Sequence, residues 1–285
     1  MSTTTSPLPT AAPERSEASL EAERQARHRK RMIRVWRVVA LVVWLGTWEL
    51  ASGTLIDPFF SSAPSLIGVR VWEWLSTGYI WVHLGATLRE MGLGLLAGSV
   101  LGIVVGFVLG RAGMLAAIAD PFITAVYSLP KLALAPLFIL WFGIGLLSKV
   151  VLVGLIVFFL VFFNTYAGVR DVDRLYINAL KIMGGNRRDV YLKVILPSSS
   201  IWVFTGLKVA VPYALIGAIV GELISSSQGL GYIINNASSF FDTTGVLAGL
   251  VYVAAIAITV NYLVGVAERR FMVWKDSEVG VGGGL

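Results

Sequence analysis

Residues 170–200 read RDVDRLYINALKIMGGNRRDVYLKVILPSSS and separate two apolar runs, 150–168 and 201–224. The stretch holds six cations (Arg170, Arg174, Lys181, Arg187, Arg188 and Lys193), a Gly-Gly break and a Leu-Pro end. Leu175, Ala179, Ile182 and Met183 fall on one stripe of a helix with a 3.6-residue period. Gly184-Gly185 ends or bends that helix. Asn186 can cap a second short helix, in which Asp189 and Lys193 pair at four-residue spacing. Pro197 marks the entry to the next apolar run. The reading is a helix–turn–helix at a membrane surface, whose apolar stripe either packs on the body of the protein or enters a partner's groove.

The flanking runs make this a membrane protein. Hydrophobic residues are 56% of the 285, charged residues 14%, and the mean hydropathy is +0.77. Soluble domains are nearer a quarter charged. A helix needs roughly 20 apolar residues to cross about 30 Å of hydrocarbon. Six stretches qualify: 35–56, 84–110, 118–142, 150–168, 201–224 and 246–266. The alternation of a barrel strand is missing, so helices are the spanning solution that satisfies the backbone. The class is an all-α membrane protein of six transmembrane helices. Residues 1–33 form a charged, largely disordered N-terminal segment, 34–272 the membrane domain, and 273–285 a flexible tail.

Basic residues orient it. With both termini inside, the inner segments hold 18 of the 23 Lys and Arg residues: eight before the first span, Arg111, the six of the loop, and three after the last span. Residues 225–245 hold none. The positive-inside rule selects this topology, with N- and C-termini in the cytoplasm. Membrane asymmetry accounts for the net charge of +6 without nucleic acid, and the basic run before the first span can also touch anionic lipid.

Several residues within the spans bear on function. Gly94, Gly98, Gly102, Gly106 and Gly110 recur every fourth position, a smooth face for close helix packing or for sliding during a transport cycle. Asp120-Pro121, Pro130-Lys131 and Ala135-Pro136 interrupt the third span. Lys131 either reaches the outer interface or lines a pathway and attracts anions. Arg89, Glu90 and Glu222 stand near outer helix ends, where they pair, meet water or serve the pathway; Glu49 and Lys208 are the other intramembrane charges. Pro130, Pro136, Lys131, Arg89 and Glu222 are the candidate pathway residues.

Enzyme chemistry has few parts here. There is no cysteine, and the two histidines, His28 and His83, form no metal pair and no buried Ser–His arrangement. The run Gly143 to Val150 lacks the Gly-Lys-Ser/Thr of a phosphate-binding loop, because Ser148 precedes Lys149 and Val150 follows it. Any nucleotide is therefore bound by a partner.

At the loop the chain resembles the membrane subunit of bacterial ABC importers of the nitrate/sulfonate/taurine/bicarbonate type. That family's loop carries Glu-Ala-Ala, three residues, Gly, nine residues, then Ile-x-Leu-Pro. The same register here gives Asn178-Ala179-Leu180, Gly184 and Val194-Ile195-Leu196-Pro197, with Asn178 and Leu180 departing from the pattern. The likeness spans about 60–272. It includes Ala63-Pro64-Ser65, Leu140-Trp141-Phe142-Gly143-Ile144-Gly145, Asn164-Thr165-Tyr166-Ala167-Gly168-Val169-Arg170 and Gly229-Leu230-Gly231-Tyr232.

The resemblance implies a type I importer permease fold in the bacterial inner membrane. It implies a homodimer, two cytoplasmic ABC ATPase subunits that carry the ATP and magnesium, and an extracytoplasmic solute-binding protein. This chain would bind no cofactor and catalyse nothing. Leu175, Asn178, Ala179, Leu180, Ile182, Met183, Gly184, Gly185, Arg187, Arg188, Leu196 and Pro197 would form the coupling surface. The implied cargo is a small anion (nitrate, sulfonate or taurine, bicarbonate, or an aromatic acid), and similar systems carry neutral vitamin precursors. An ion-coupled secondary transporter would show internal repeats, and a membrane scaffold would show no flux.

Overall fold

A computed structural model describes residues 17–271, with the side chains of 17–27, 268, 269 and 271 outside that description. The expected C-terminal tail, 273–285, and residues 1–16 of the N-terminal segment lie outside the described residues. The chain divides into two units, Met1–Pro64 and Ser65–Leu285.

In the first unit, α1 (Glu17–Ala51) is one continuous helix. The apolar run 35–56 is helical only as far as Ala51. Beyond it Gly53 turns the chain at φ +82°, and the Gly53 amide donates to the Ile56 carbonyl at 2.8 Å. The short α2 (Pro58–Ser61) follows, capped by the Asp57 carboxylate, which accepts from the Phe59 amide. The Trp48 indole donates to the Ser61 carbonyl at 3.2 Å and ties α2 back to α1.

The second unit is also helical. It runs through α3 (Pro64–Ser76), α4 (Tyr79–Arg111) and α5 (Gly113–Ser128), then a 3₁₀ turn (Lys131–Leu134) into α6 (Ala135–Phe142) and α7 (Leu146–Arg170). The loop carries α8 (Arg174–Ile182) and α9 (Arg187–Asp189). A π-helical stretch (Val190–Ile195) joins α9 to α10 (Leu196–Ile224), and α11 (Leu230–Ser239) and α12 (Thr243–Phe271) complete the unit. Four of these helical runs are long and apolar enough to cross a membrane: α4, α7, α9 through α10, and α12. The pair formed by α5 and the 3₁₀–α6 run is a fifth if counted as one span, bent by 81°. Leu129-Pro130 makes the bend, because the proline has no amide to donate and holds Leu129 extended (ψ 139°).

The bundle is built on α7. Val153, Val157 and Val161 of α7 pack with Ala210, Ala214 and Ala218 of α10 in the main apolar core. A Cβ at Gly94, Gly98, Gly106 or Gly110 of α4 would lie within 3 Å of Val153, Val157, Thr165 or Val169 Cβ, and one at Gly102 within 3.1 Å of Val161 Cβ. Each step of four on α4 matches a step of four on α7 in the same sense, so the two helices run parallel. On α10 the order reverses, with Gly206 against Asn164, Gly217 against Ile156 and Gly221 against Lys149, so α10 is antiparallel to α7.

This pairing fixes what lies between. Arg111 ends α4 beside the end of α7, whereas Leu146 begins α7 at the opposite end, about 37 Å away for 25 residues. The segment 112–145 must therefore travel the length of the bundle. Many side chains on the outside of α4, α5 and α12, such as Leu96, Val104, Phe122 and Ile258, are exposed and apolar, which suits hydrocarbon and not water.

Candidate functional site

At the loop end, local chemistry sets the shape. Asp173 caps α8 by accepting from the Leu175 amide at 2.8 Å. Gly184 takes φ +85°, a conformation that disfavours any side chain, and a Cβ on Gly185 would meet Leu180 Cγ at 2.7 Å. Asn186 and Asp189 form a reciprocal capping box: the Asp189 amide donates to Asn186 Oδ1 at 2.9 Å, and the Asn186 amide donates to Asp189 Oδ2 at 3.1 Å. Lys193 pairs with Asp189 at 2.8 Å. Ile177, Leu180 and Val194 face inward against Val169, Val172, Val190 and Ile195. Leu175, Asn178, Ala179, Ile182, Met183, Arg187, Arg188, Leu196 and Pro197 are exposed, with Ile182 at 87% and Met183 at 83%. The expected stripe, Leu175, Ala179, Ile182 and Met183, is exposed along its whole length, and the inward face of α8 is a different one. Ile177 and Leu180 hold the loop to the bundle, and the Ile182–Met183 tip is left uncovered.

A buried polar cluster occupies the far end. The Lys149 ammonium of α7 donates to Glu90 Oε1 of α4 at 2.8 Å and to Ser226 Oγ at 2.7 Å. Ser226 in turn donates to the Gln228 carbonyl. The Glu222 carboxylate of α10 accepts from the Thr87 hydroxyl and the Gly231 amide, each at 2.6 Å. Thr87 also accepts from the Leu230 amide at 2.9 Å, and His83 Nδ1 accepts from the Gly229 amide at 3.1 Å. Glu222 is 1% exposed and Glu90 4%. Gly229 is at φ +113°, where a Cβ would run into the Glu222 carboxylate, and a Cβ on Gly231 would lie 2.7 Å from Glu222 Cβ. The Gly-Leu-Gly-Tyr sequence is thus a backbone wrap around one buried carboxylate, closed by Tyr232 stacked on the His83 ring.

Lys131 sits elsewhere, at the bend between α5 and α6. Its ammonium donates to the Tyr127 carbonyl at 2.8 Å and lies over the Tyr127 and Phe159 rings, 4.2 and 5.0 Å from their centroids. Tyr127, Pro130, Lys131, Leu132, Ile156, Phe159, Leu160, Tyr213 and Ile216 line a cavity of about 370 Å³ here. Phe159 is about 20 Å along α7, close to its midpoint.

The candidate pathway residues therefore separate. Pro130 and Lys131 share the mid-depth cavity. Pro136 stands at the start of α6, outside its lining. Arg89 is exposed, donates to the Gly85 carbonyl at 3.2 Å and lines a second cavity of about 180 Å³ with Glu90, Lys149 and Gln228. Glu222 is enclosed in the far-end cluster.

Sequence reasoning missed two features. Lys149 was passed over because its partners are 59 and 77 residues away, and no local pattern announces them. Residues 225–245, notable in the sequence only for holding no Lys or Arg, contain α11, packed on α10 and α12. Leu230, Ile233, Ile234 and Ala237 carry the helical spacing that gives α11 away, and all four are buried.

Comparison with known proteins places this geometry. Residues 98–273 match the family described as binding-protein-dependent transport system inner membrane component. The taurine transport system permease protein TauC of Escherichia coli is 33% identical over 83% of this chain and 86% of its own length. The riboflavin transport system permease protein RibX of Chloroflexus aurantiacus is 34% identical over 84% of this chain and 90% of its own. Among solved structures, a chain of the inward-facing MetNI methionine ABC transporter superposes with a TM-score of 0.54 at 19% identity, covering 70% of this chain and 94% of that one, a likeness of fold.

Proposed function

Because the chain belongs to the family of binding-protein-dependent transport system inner membrane components, and is thus a non-catalytic permease subunit of an ABC importer, we propose how its parts serve that role. The loop end faces the cytoplasm, and the uncovered Ile182–Met183 tip enters a groove on a partner ATPase, with Arg187 and Arg188 against an acidic rim. Two copies pair, each as a six-helix subunit in which α1 and the bent α5–α6 pair also span. Two ATPase subunits hold the ATP and magnesium, and a solute-binding protein delivers cargo at the far end. Both termini are cytoplasmic.

The observation that carries this reading is the loop itself. Two capped helices, a left-handed glycine and an inward anchor of Ile177 and Leu180 present a tip that is left uncovered among the described residues. Exposed apolar surface of that kind marks an interaction site. The test is Gly184→Trp, scored by co-purification of the ATPase subunit and by substrate-stimulated ATP hydrolysis. Loss of either supports the coupling role; retention of both removes it. An ion-coupled secondary transporter would also lack a co-purifying ATPase.

The cargo we favour is a small anion, a choice supported by the taurine relative. A neutral vitamin-type cargo is the second reading, favoured by the riboflavin relative at similar identity. The ligand captured by the solute-binding protein separates them.

A further inference from the structure

Two lysines that face the helix bundle, Lys149 buried and Lys131 half-exposed, are treated differently. Lys149 is given a counter-charge by Glu90 and a second acceptor in the Ser226 hydroxyl. Lys131 is not. Among the described residues its ammonium meets one backbone carbonyl and the faces of two aromatic rings, and no carboxylate. An ammonium held at mid-depth of a transmembrane bundle is costly without a charge partner, and such groups mark ligand or ion pathways. Ring faces attract a cation but do not neutralise it. The cavity beside it, about 370 Å³, is lined mainly by aromatic and aliphatic side chains, with Ile156, Phe159 and Leu160 from α7 and Tyr213 and Ile216 from α10. A concave apolar wall with one convergent charge is the general form of a small-ligand site.

We propose that this cavity is a binding site within the transport pathway for an organic anion with a compact apolar body, such as a sulfonate or carboxylate, and that the anion supplies the counter-charge missing from Lys131. The apolar wall favours a carbon skeleton over a fully hydrated inorganic ion. The inference rests on the importer reading for the statement that the cavity lies on a pathway, and on the geometry alone for the statement that it binds anions.

The test is calorimetric titration of the permease in lipid nanodiscs with ethanesulfonate, taurine, benzenesulfonate and benzoate, and with neutral benzenesulfonamide as an isostere. At least one anion is expected to bind while the sulfonamide binds at least about tenfold more weakly, the scale of one lost charge-assisted contact. Lys131→Gln should weaken that anion by a similar factor, and Lys131→Arg should hold it within about threefold. If no anion binds, if sulfonate and sulfonamide bind alike, or if Lys131→Gln leaves affinity unchanged, the site assignment is overturned. The comparison of sulfonate with sulfonamide needs no substitution, so a variant that fails to fold does not blunt it. The importer reading is scored apart, by ATPase co-purification, and can fail while the anion site stands.

Discussion

The Lys149 ammonium lies 2.8 Å from Glu90 Oε1, with both side chains about 5% exposed, and so pins α7 to α4 at the end of the bundle opposite the loop. The Glu222 carboxyl adjoins that of Glu90, so three ionisable groups from three helices meet in one place. Removing one partner of a buried pair leaves the other charge uncompensated. Lys149→Met is expected to destabilise the detergent-solubilised protein by about 3–5 kcal/mol. The double variant Lys149→Met, Glu90→Gln should recover most of that loss. Thermal unfolding of the parent and the two variants checks it, and equal instability of single and double variants would show that the pair acts through packing alone.

Thr87 joins α4 both to the buried Glu222 and to the glycine wrap around it by donating to Glu222 and accepting from the Leu230 amide. Thr87→Val keeps the shape and removes the hydroxyl, leaving one carboxylate oxygen and one amide short of a partner. A cost of about 1–3 kcal/mol follows. It should appear as faster amide hydrogen exchange at residues 229–231, with exchange in α8 unchanged.

The parallel α4–α7 contact depends on bare backbone. A Cβ at Gly98 would overlap the Gly154 carbonyl and lie 2.9 Å from Val157 Cβ, whereas one at Gly92 meets nothing within 4 Å. Gly98→Leu should therefore cost more than about 2 kcal/mol by overpacking, while Gly92→Leu stays within about 1 kcal/mol. Equal stability of the two variants would contradict the packing described for α4.

The loop tip is exposed, so polar substitutions there should spare the fold. Ile182→Asp with Met183→Asp is expected to leave thermal unfolding within about 0.5 kcal/mol of the parent. The same variant should lose ATPase co-purification and substrate-stimulated hydrolysis. Leu180→Asp, which strikes the inward anchor, should lower stability as well.

The Arg70–Asp242 pair offers a contrast. It is short at 2.6 Å, but each side chain is about one-third exposed. Arg70→Ala should cost no more than about 1 kcal/mol, and less at high salt. A loss comparable to that of Lys149→Met would mean that the tie between α3 and the start of α12 is shielded from solvent.

The loop was legible because its signals are local. Asn186 caps three residues ahead, Asp189 meets Lys193 one turn on, and Gly184 needs only its own φ. The glycine ladder of α4 was equally plain as a face, but the helix it meets was not, because Val153 to Val169 are ordinary apolar residues on every local measure. The prolines foretold a break in the third apolar run without giving its angle. Glu222 read as a pathway candidate from its charge, and it sits enclosed because Thr87 and Gly231 come to it from elsewhere in the chain.

The sequence by itself determined that this chain is a helical membrane protein with a structured basic loop, since hydrophobic length, caps and turn glycines act over a few residues. Tertiary structure alone decided that α4 and α7 run parallel, that Glu90 pairs with Lys149, and that Lys131 lies against the Tyr127 and Phe159 rings. Those outcomes depend on which helices touch and at what height, and such pairings join residues from 28 to 59 apart, where no local pattern records the partner.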